Sequence, residues 1–349
     1  MNFASDNAGP AHPTVMEALA RANEGHHRAY GADDLTEAAA AKVREVFEAP
    51  EAAVFLVANG SGANALALAT LSRPWDALFC APRAHILVDE NNAVEAATGG
   101  ARLVGVGDLE DRLPAGALGE AMAVYGDDDV HSPTLGPVSI TQVTERGTLY
   151  SLDEIRAVAG VARAHGVALH MDGARFANAA VALGVSAAEM SWRAGVDVVT
   201  FGGTKNGALG VEIVVFFDPD LAETFKRRQM RAGHLMSKGR YLAAQTLALF
   251  EDDLWRVLAG QANAAAARLA NGLRAMDGVA FAFGTEANML FVRLPRAMHL
   301  RLHAAGAVYA LWEGPLDGGD PDEALLCRLV CDWSCDAAKI DRFLSAAAG

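Results

Sequence analysis

A lysine follows a short apolar run, and its surroundings favour covalent chemistry. Val198 to Phe201 reads VVTF, which is typical of a buried β-strand, and Gly202 and Gly203 then predict a tight turn that presents Lys205. Burial lowers the pKa of a lysine, and the neutral amine can then form a Schiff base with an aldehyde. A solvent-exposed lysine in a glycine turn is the alternative. A phosphate-binding P-loop is excluded, because Asn206 stands where that motif has Ser or Thr.

A second apolar run ends in an acid. Residues 167–172 read VALHMD, and Asp172 is followed by Gly173 and Arg175. A lysine and an aspartate at the ends of two consecutive strands are what a pyridoxal 5'-phosphate site requires, because the lysine holds the aldehyde of the cofactor and the aspartate keeps its ring nitrogen protonated. We therefore predict that this cofactor binds, with Lys205 as the covalent residue and Asp172 as the partner of the ring nitrogen.

The sequences HMDGARFANA and FGGTKNG around these two residues resemble the motifs of the low-specificity L-threonine aldolases, of the β-eliminating lyase and threonine aldolase group. The resemblance extends over nearly the whole chain. It implies the aspartate-aminotransferase-like fold, fold type I of the pyridoxal phosphate enzymes. It also implies a homo-oligomer, with a dimer as the minimum active unit and two dimers paired into a tetramer.

A third motif, NGSGAN at 59–64, lies between an apolar strand at 53–58 and a helix at 65–71. A strand, a small-residue turn and a helix N-terminus form an anion site, because free amides and the helix dipole face the turn. An ordinary helix N-cap by Ser61 is the alternative interpretation. Given the phosphorylated cofactor, we predict that Gly60, Ser61 and Gly62 hold the phosphate. The resembled family commonly has threonine at the position of Ser61, and either residue offers a hydroxyl.

The resemblance implies roles for residues near the reacting face of the cofactor. His85 matches a histidine that stacks on the pyridine ring, and His131 matches a second histidine near the substrate hydroxyl. Glu90 matches an acid near the same face and is expected to bind the substrate. Thr204, directly before Lys205, is expected to contact the cofactor.

The resemblance also implies residues that bind the substrate carboxylate and residues that a second subunit contributes. Those matched to substrate binding within the chain are Ser5, with Asp6 and Asn7 as neighbours, Tyr30, Arg175 and Arg328, and Arg175 is also expected to contact the cofactor ring oxygen. Arg231 and Lys238 match two basic residues that reach the partner subunit's cofactor pocket. A solvated helix face is the alternative for this basic stretch. Cysteines flank Arg328 where the family usually has Thr and Ser, which affects the expected substrate preference more than the reaction type.

The elements that must position these residues follow from the pattern of apolar runs. Strands alternate with helices from 53 to 217, which predicts an α/β fold with a largely parallel sheet covered on both faces and its motifs at one edge. From about residue 254 the pattern changes to a long helix, strands at 289–294 and 326–331, and a terminal helix. We predict a large cofactor-binding domain over 1–252, with an N-terminal arm over 1–12, and a smaller α+β domain over 253–349.

Composition excludes several classes of function. The net charge of −14, from 29 basic and 43 acidic residues among 349, argues against nucleic acid or an anionic membrane as a partner. No apolar run reaches the roughly 18 residues of a membrane span, and the N-terminus does not resemble a signal peptide, so a soluble cytoplasmic protein is expected. The sequence GVGDLE at 105–110 lacks the third glycine of a dinucleotide-binding motif. The four cysteines, Cys80, Cys327, Cys331 and Cys335, lack the spacing of a metal site, so reduced buried thiols and no metal are expected.

Together these features predict an aldolase that cleaves an L-β-hydroxy-α-amino acid into glycine and an aldehyde. One alternative is another reaction on the same fold, such as β-elimination or transamination. The joint match of the two histidines with the DGAR and GGTKNG motifs favours the aldolase. A second alternative is a non-enzymatic relative that senses amino acids, and the presence of both Lys205 and Asp172 disfavours it.

Overall fold

The computed structural model describes residues 1–107, 112–126 and 129–349, so part of the GVGDLE sequence lies outside the described residues. Strands of the described residues are β1 (Ala53–Val57), β2 (Asp76–Cys80), β3 (Arg102–Gly105), β4 (Thr134–Thr141), β5 (Leu169–Gly173), β6 (Val198–Gly202), β7 (Glu212–Phe216), β8 (Ala280–Phe281), β9 (Met289–Pro295), β10 (Ala310–Leu311) and β11 (Ala324–Val330). The α-helices are α1 (Pro13–Ala22), α2 (Asp34–Val46), α3 (Gly60–Leu71), α4 (His85–Val88), α5 (Ala93–Thr98), α6 (Ala115–Met122), α7 (Leu152–Ala164), α8 (Phe176–Leu183), α9 (Ala187–Met190), α10 (Ala222–Arg231), α11 (Arg240–Phe250), α12 (Leu254–Arg274), α13 (Arg296–Ala304) and α14 (Ala337–Ala348). Short 3-10 helices span Asp6–Ala8, Trp192–Ala194, Thr204–Asn206, Pro219–Leu221 and Glu251–Asp253.

The larger sheet has the strand order β1-β7-β6-β5-β4-β2-β3 over the described residues. Neighbouring strands from β6 to β3 in this order are parallel, whereas β7 is antiparallel to both β1 and β6. All residues of β2, β5, β6 and β7 are buried, as expected for strands covered by helices. The prediction of an α/β fold with a largely parallel sheet is confirmed.

The smaller sheet is antiparallel, with the order β10-β11-β9-β8. Helices α12 and α13 pack on β9, and the N-terminal arm packs against the same unit, because Phe3 is buried in its core and bonds to Val308 and Val330. The N-terminal arm therefore reaches the C-terminal sheet. The predicted boundary at residue 252 stays a prediction.

Strands β5 and β6 bring the two chemical motifs together. Their parallel register pairs Asp172 with Thr200, so the acid lies beside the strand that leads to Lys205. Phe201 anchors this strand through contacts with the rings of Phe176, Phe250 and Trp255, at centroid distances of 5.4, 5.2 and 5.7 Å. The lysine therefore follows a strand that is fixed in the core.

The two glycines after β6 are required by close approach of the backbone. A Cβ atom at Gly202 would lie 2.2 Å from the carbonyl oxygen of Ala174, and one at Gly203 would lie 2.6 Å from that of Val211. No larger residue fits without moving the backbone. The turn therefore stays closed and places Lys205 in the 3-10 helix that begins at Thr204.

Some element boundaries differ from the sequence predictions. Helix α3 begins at Gly60 instead of Ala65, because the side chain of Asn59 accepts the N–H of Gly62 at 2.8 Å and caps the helix. The N-cap of this helix is Asn59, so the alternative interpretation of Ser61 as an N-cap is wrong. The long basic stretch after Pro219 forms two helices, α10 and α11, separated by residues 232–239.

None of the helices in the described residues has the length and apolar character needed to cross a membrane. All four cysteines are buried free thiols.

Candidate active site

A cavity of about 310 Å³ lies where strands β4, β5 and β6 end, and both predicted strand-end residues line it. Residues of the N-terminal arm, of helix α3 and of helix α4 also contribute to the wall, among them Asn7, Ser61 and His85. Its volume is at the lower end of the range for small-molecule sites. The parallel register thus assembles one site from motifs that lie far apart in the sequence.

Lys205 presents an amine to this cavity. Within residues 1–107, 112–126 and 129–349, its Nζ has neither a hydrogen bond nor an ion pair. Burial lowers the pKa of Lys205 and the guanidinium of Arg175 lowers it further, while the carboxylates of Asp6 and Asp172 oppose the shift. An uncommitted amine with a lowered pKa suits attack on an aldehyde.

Asp172 is buried, with 3% of its surface exposed, and both oxygens have donors. Oδ1 accepts the N–H of Ala174 at 2.9 Å, and Oδ2 accepts Nδ2 of Asn64 at 2.8 Å. A carboxylate oxygen has two acceptor directions, so Asp172 can still accept a proton donor from a ligand ring.

His85 and Glu90 form a hydrogen-bonded pair in the site. Nδ1 of His85 lies 2.8 Å from Oε1 of Glu90, whose side chain is 1% exposed, whereas that of His85 is 41% exposed. The hydrogen bond to Glu90 raises the pKa of His85, burial opposes the shift, and the charge of Asp172 adds to it. Because the carboxylate accepts from Nδ1, the neutral imidazole presents Nε2 as an acceptor on its exposed side.

The predicted phosphate cradle forms the first turn of helix α3. The carbonyl oxygen of Asn59 accepts the first intrahelical N–H, that of Ala63, and its side chain accepts from Gly62. The N–H groups of Gly60 and Ser61 precede these donors and have no acceptor in the described part of the chain, and both residues line the cavity. Gly62 lies beside His234, since a Cβ at this position would be 2.5 Å from Nε2 of His234.

Two arginines contact the N-terminal arm, Arg175 at the cavity wall and Arg328 on strand β11. Arg175 donates to both oxygens of Asp6, at 2.6 and 2.9 Å, so its guanidinium is held by the arm. Arg328 donates Nη2 to the carbonyl oxygen of Ala4 at 3.2 Å, and its buried Nε has no partner among the described residues. Burial and the charge of Arg175 lower the pKa of Arg328. Ser5 uses its hydroxyl to accept the N–H of Asn7, so it caps the short helix of the arm.

Seven predicted site residues do not line this cavity, namely Ser5, Tyr30, Gly62, His131, Arg231, Lys238 and Arg328. Four of them, Tyr30, His131, Arg231 and Lys238, are exposed. The N–H of Tyr30 donates to the carbonyl oxygen of Ser237, so Tyr30 lies next to Lys238 on one surface. The part of the chain that the structure describes therefore assembles the predicted site without these four side chains.

Several residues of the cavity were not predicted as site residues, and three of them bring hydrogen bonds or charge to the predicted groups. Asn64 is buried between Asp172 and Glu90. It is the last residue of the NGSGAN motif, and no separate role was predicted for it. Burial raises the pKa of Glu145 to about 7, although its carboxylate accepts the backbone N–H of His85 at 2.7 Å. Burial also raises the pKa of Glu212 to about 7, against the charge of Lys205. An acid inside the apolar strand VEIVVF was an available signal, since glutamate is rarely buried without a role.

The arrangement fits a phosphorylated aldehyde with an aromatic nitrogen. The amine of Lys205 is uncommitted, the N–H groups at the start of α3 suit a phosphate, and Asp172 retains acceptor capacity. Thr204 uses its hydroxyl to accept the N–H of Val211 at 3.3 Å and to hydrogen-bond Glu212, so it supports the turn that carries the lysine.

Comparison with known proteins agrees with this chemistry. A family model described as β-eliminating lyase matches residues 2–295. A low-specificity L-threonine aldolase of Pseudomonas aeruginosa is 39% identical over 338 residues, which cover 97% of this chain and 94% of that protein. Another from a Pseudomonas sp. is 37% identical with the same coverage. The solved structure of a threonine aldolase of Leishmania major is similar with a TM-score of 0.91 at 28% identity, over 99% of this chain and 98% of that one.

Proposed function

The chain belongs to the β-eliminating lyase family, and we propose that it is a carbon-carbon lyase that cleaves L-threonine, L-allo-threonine and related L-β-hydroxy-α-amino acids to glycine and an aldehyde. The observation that carries this proposal is the uncommitted amine of Lys205 in a cavity shared with Asp172 and His85. Lys205 suits covalent binding of an aldehyde, Asp172 suits an electron-withdrawing ring, and His85 suits removal of a proton from a hydroxyl.

Pyridoxal 5'-phosphate, when bound, supplies an aldehyde for the substrate amine and a protonated ring that withdraws electrons from the substrate Cα. Lys205 is the residue that would hold it, with Gly60 and Ser61 at the phosphate and Asp172 at the ring nitrogen. These assignments rest on the free amine, the free amides and the remaining acceptor capacity described above.

The substrate carboxylate is assigned to the arm and strand β11. The buried Nε of Arg328 lacks a partner among the described residues, and a guanidinium suits a carboxylate because it offers parallel donors. Ser5 and Arg175 border the same region. Binding of the carboxylate there directs the Cα–Cβ bond, and the orientation of this bond decides which bond to Cα is broken.

His85 is the proposed base for the substrate hydroxyl. Its Nε2 takes the hydroxyl proton, the Cα–Cβ bond breaks with its electron pair kept on Cα, and the hydroxyl carbon leaves as an aldehyde. A proton then returns to Cα to give glycine. His131 is exposed and does not line the cavity, so no role in this step is assigned to it.

Glu90 supports His85 in this proposal and does not bind the substrate. Its carboxylate is 1% exposed and already accepts from His85 and Asn64. This interpretation differs from the sequence prediction, which placed Glu90 among the substrate-binding residues.

A homo-oligomer is proposed as the active form, with a dimer as its minimum and a tetramer of two dimers as the expected assembly. Tyr30 and Lys238 lie side by side on the surface, and Arg231 is exposed at the end of α10. Because the resemblance implies that Arg231 and Lys238 reach a partner's cofactor pocket, this exposure supports a shared site. That the protein acts in the cytoplasm stays a prediction.

An assay of aldehyde and glycine release from threonine, allo-threonine and phenylserine tests the proposed function. The Lys205→Ala variant is the matched control and is expected to lose nearly all turnover. Reduction with borohydride followed by peptide mapping should attach the cofactor to Lys205. Labelling of Lys226 or Lys339 in its place would contradict the assignment.

A further inference from the structure

Two buried carboxylates of the site share one amide donor. Nδ2 of Asn64 donates to Oε1 of Glu90 at 3.0 Å and to Oδ2 of Asp172 at 2.8 Å. The amide oxygen Oδ1 accepts the hydroxyl of Thr200 at 2.7 Å. Asn64 is 3% exposed, so no solvent competes for these contacts.

The orientation of this amide follows from its neighbours. An ionised carboxylate can accept hydrogen bonds but cannot donate them. The atom of Asn64 that faces the two carboxylates must therefore be the nitrogen. In the opposite orientation, the amide oxygen would lie against both anions. Thr200, on strand β6, then donates to the remaining oxygen and fixes the side chain.

We propose that Asn64 is a positioning residue that joins the base His85, through Glu90, to the ring partner Asp172. This inference rests on the proposed function, in which His85 takes the hydroxyl proton and Asp172 faces the cofactor ring. The four side chains form a continuous path, since Glu90 accepts from both His85 and Asn64 through the same oxygen, Oε1.

The path has an electrostatic consequence. The accepting oxygens of Glu90 and Asp172 lie within about 6 Å of each other, because both are bonded to one nitrogen. Like charges at this distance repel, and each N–H of Asn64 stabilises one of them. Loss of these donors therefore increases the affinity of the Glu90, His85 and Asp172 cluster for a proton.

Other charged groups surround the cluster, and none of those in the described residues is hydrogen-bonded to Asn64. Lys205 disfavours the protonated form of His85, whereas Asp172 favours it. Glu145 accepts the backbone N–H of His85, and the charge of Asp172 raises the pKa of Glu145. The charge of Glu212 raises the pKa of Lys205. These groups are present in the wild type and in both Asn64 variants, so the comparison isolates the change at Asn64.

The experiment compares Asn64→Asp and Asn64→Leu with the wild-type holoenzyme. The acid limb of the pH profile of kcat/KM should move to higher pH by about one unit in Asn64→Leu, a tenfold change in proton affinity. It should move further in Asn64→Asp, which adds a negative charge. The pH at which His85 reacts at half its maximal rate with diethyl pyrocarbonate, followed by peptide mass spectrometry, should rise in parallel.

Asn178→Leu is the matched control, because Asn178 is also 3% exposed and bonds to Asn263 on helix α12. It should leave both pH midpoints unchanged. If the rate falls in the Asn64 variants while both midpoints stay at the wild-type pH, Asn64 only packs and the proposal is overturned. Asn64→Asp keeps the side-chain volume, so the two pH midpoints can be compared in this variant even if Asn64→Leu does not fold. The diethyl pyrocarbonate measurement needs no substrate, so it remains decisive if the wild type fails to cleave β-hydroxy-α-amino acids.

Discussion

Asp6 and Arg175 form a buried, bidentate ion pair between the N-terminal arm and the turn after strand β5. Nε and Nη2 of Arg175 lie 2.6 and 2.9 Å from the two oxygens of Asp6. Asn288 adds a third donor at 3.0 Å from Oδ2 of Asp6. Burial raises the pKa of Asp6, but Arg175, Lys205 and Asn288 outweigh it, so the pKa is lowered overall. The pair fastens the arm, and with it Ser5, over the cavity.

Asp6→Ala is therefore expected to destabilise the protein strongly. Removal of one partner leaves the guanidinium of Arg175 buried and unpaired, which costs about 3 to 5 kcal/mol. Denaturant unfolding measures this loss. Asp341→Ala is the control, because Asp341 makes a similar bidentate contact with Arg268 on an exposed surface and should cost less than about 1 kcal/mol. Equal losses in the two variants would contradict the buried role of the pair.

Glu145 and Glu212 should make the stability of the cofactor-free protein depend on pH. Burial raises the pKa of each carboxyl from 4.5 to about 7, so the folded protein holds protons that the unfolded chain releases in this range. The contribution of each group to the free energy of unfolding is fully present below about pH 4.5. It is lost as the pH rises through about 7, and the loss is on the order of 3 kcal/mol for each group.

Neutral Glu145→Gln and Glu212→Gln should therefore match the wild type near pH 4.5 and exceed its Tm by several degrees at pH 8. Glu17→Gln, at an exposed position, should follow the wild type throughout. Thermal unfolding across this pH range checks the prediction. A Tm difference that does not change with pH would show that burial does not control these carboxyls.

Glu90→Gln should change the pH dependence in the direction opposite to the Asn64 variants. An amide in place of the carboxylate removes the main cause of the raised pKa of His85, so the acid limb of kcat/KM should move to lower pH. The rate should fall at least tenfold, because the imidazole is no longer held in one tautomer. An unchanged acid limb would show that Glu90 does not act through His85.

The fold and the centre of the site could be predicted because both depend on local patterns. The apolar runs before Asp172 and Lys205 indicated consecutive strands, and consecutive parallel strands end at the same edge of a sheet. Two of the residues that were missed, Asn64 and Glu145, depend on contacts between distant segments. Glu212 enters the site because β7 runs antiparallel to β6 and pairs it with Gly202. The acid within an apolar strand indicated its burial but not its position in this register.

Asn64 was missed for a related reason. It lies one turn into helix α3, where an asparagine resembles a capping residue, and its role depends on carboxylates 26 and 108 residues away. Arg231 and Lys238 illustrate the remaining limit. Their predicted function requires a second subunit, and both lie on the surface of the single chain.

Mixing two inactive variants tests the shared site. Lys205→Ala lacks the covalent residue, and Arg231→Ala lacks the residue assigned to the partner's pocket. In a mixed dimer, one of the two sites receives both intact residues, so a 1:1 mixture should recover about a quarter of the wild-type activity. Each variant alone is the control. No recovery in mixed dimers isolated by two affinity tags would count against a site built from two subunits.

The most direct test of the central claim is a time course with L-threonine as the sole substrate and no keto acid. We expect continuous release of glycine and acetaldehyde in equal amounts, because no amino-group acceptor is needed when the Cα–Cβ bond is broken. Lys205→Ala should release neither product. Release of ammonia with 2-oxobutanoate, or a single turnover that stops with the cofactor aminated, would show that a different bond to Cα is broken and would contradict the account.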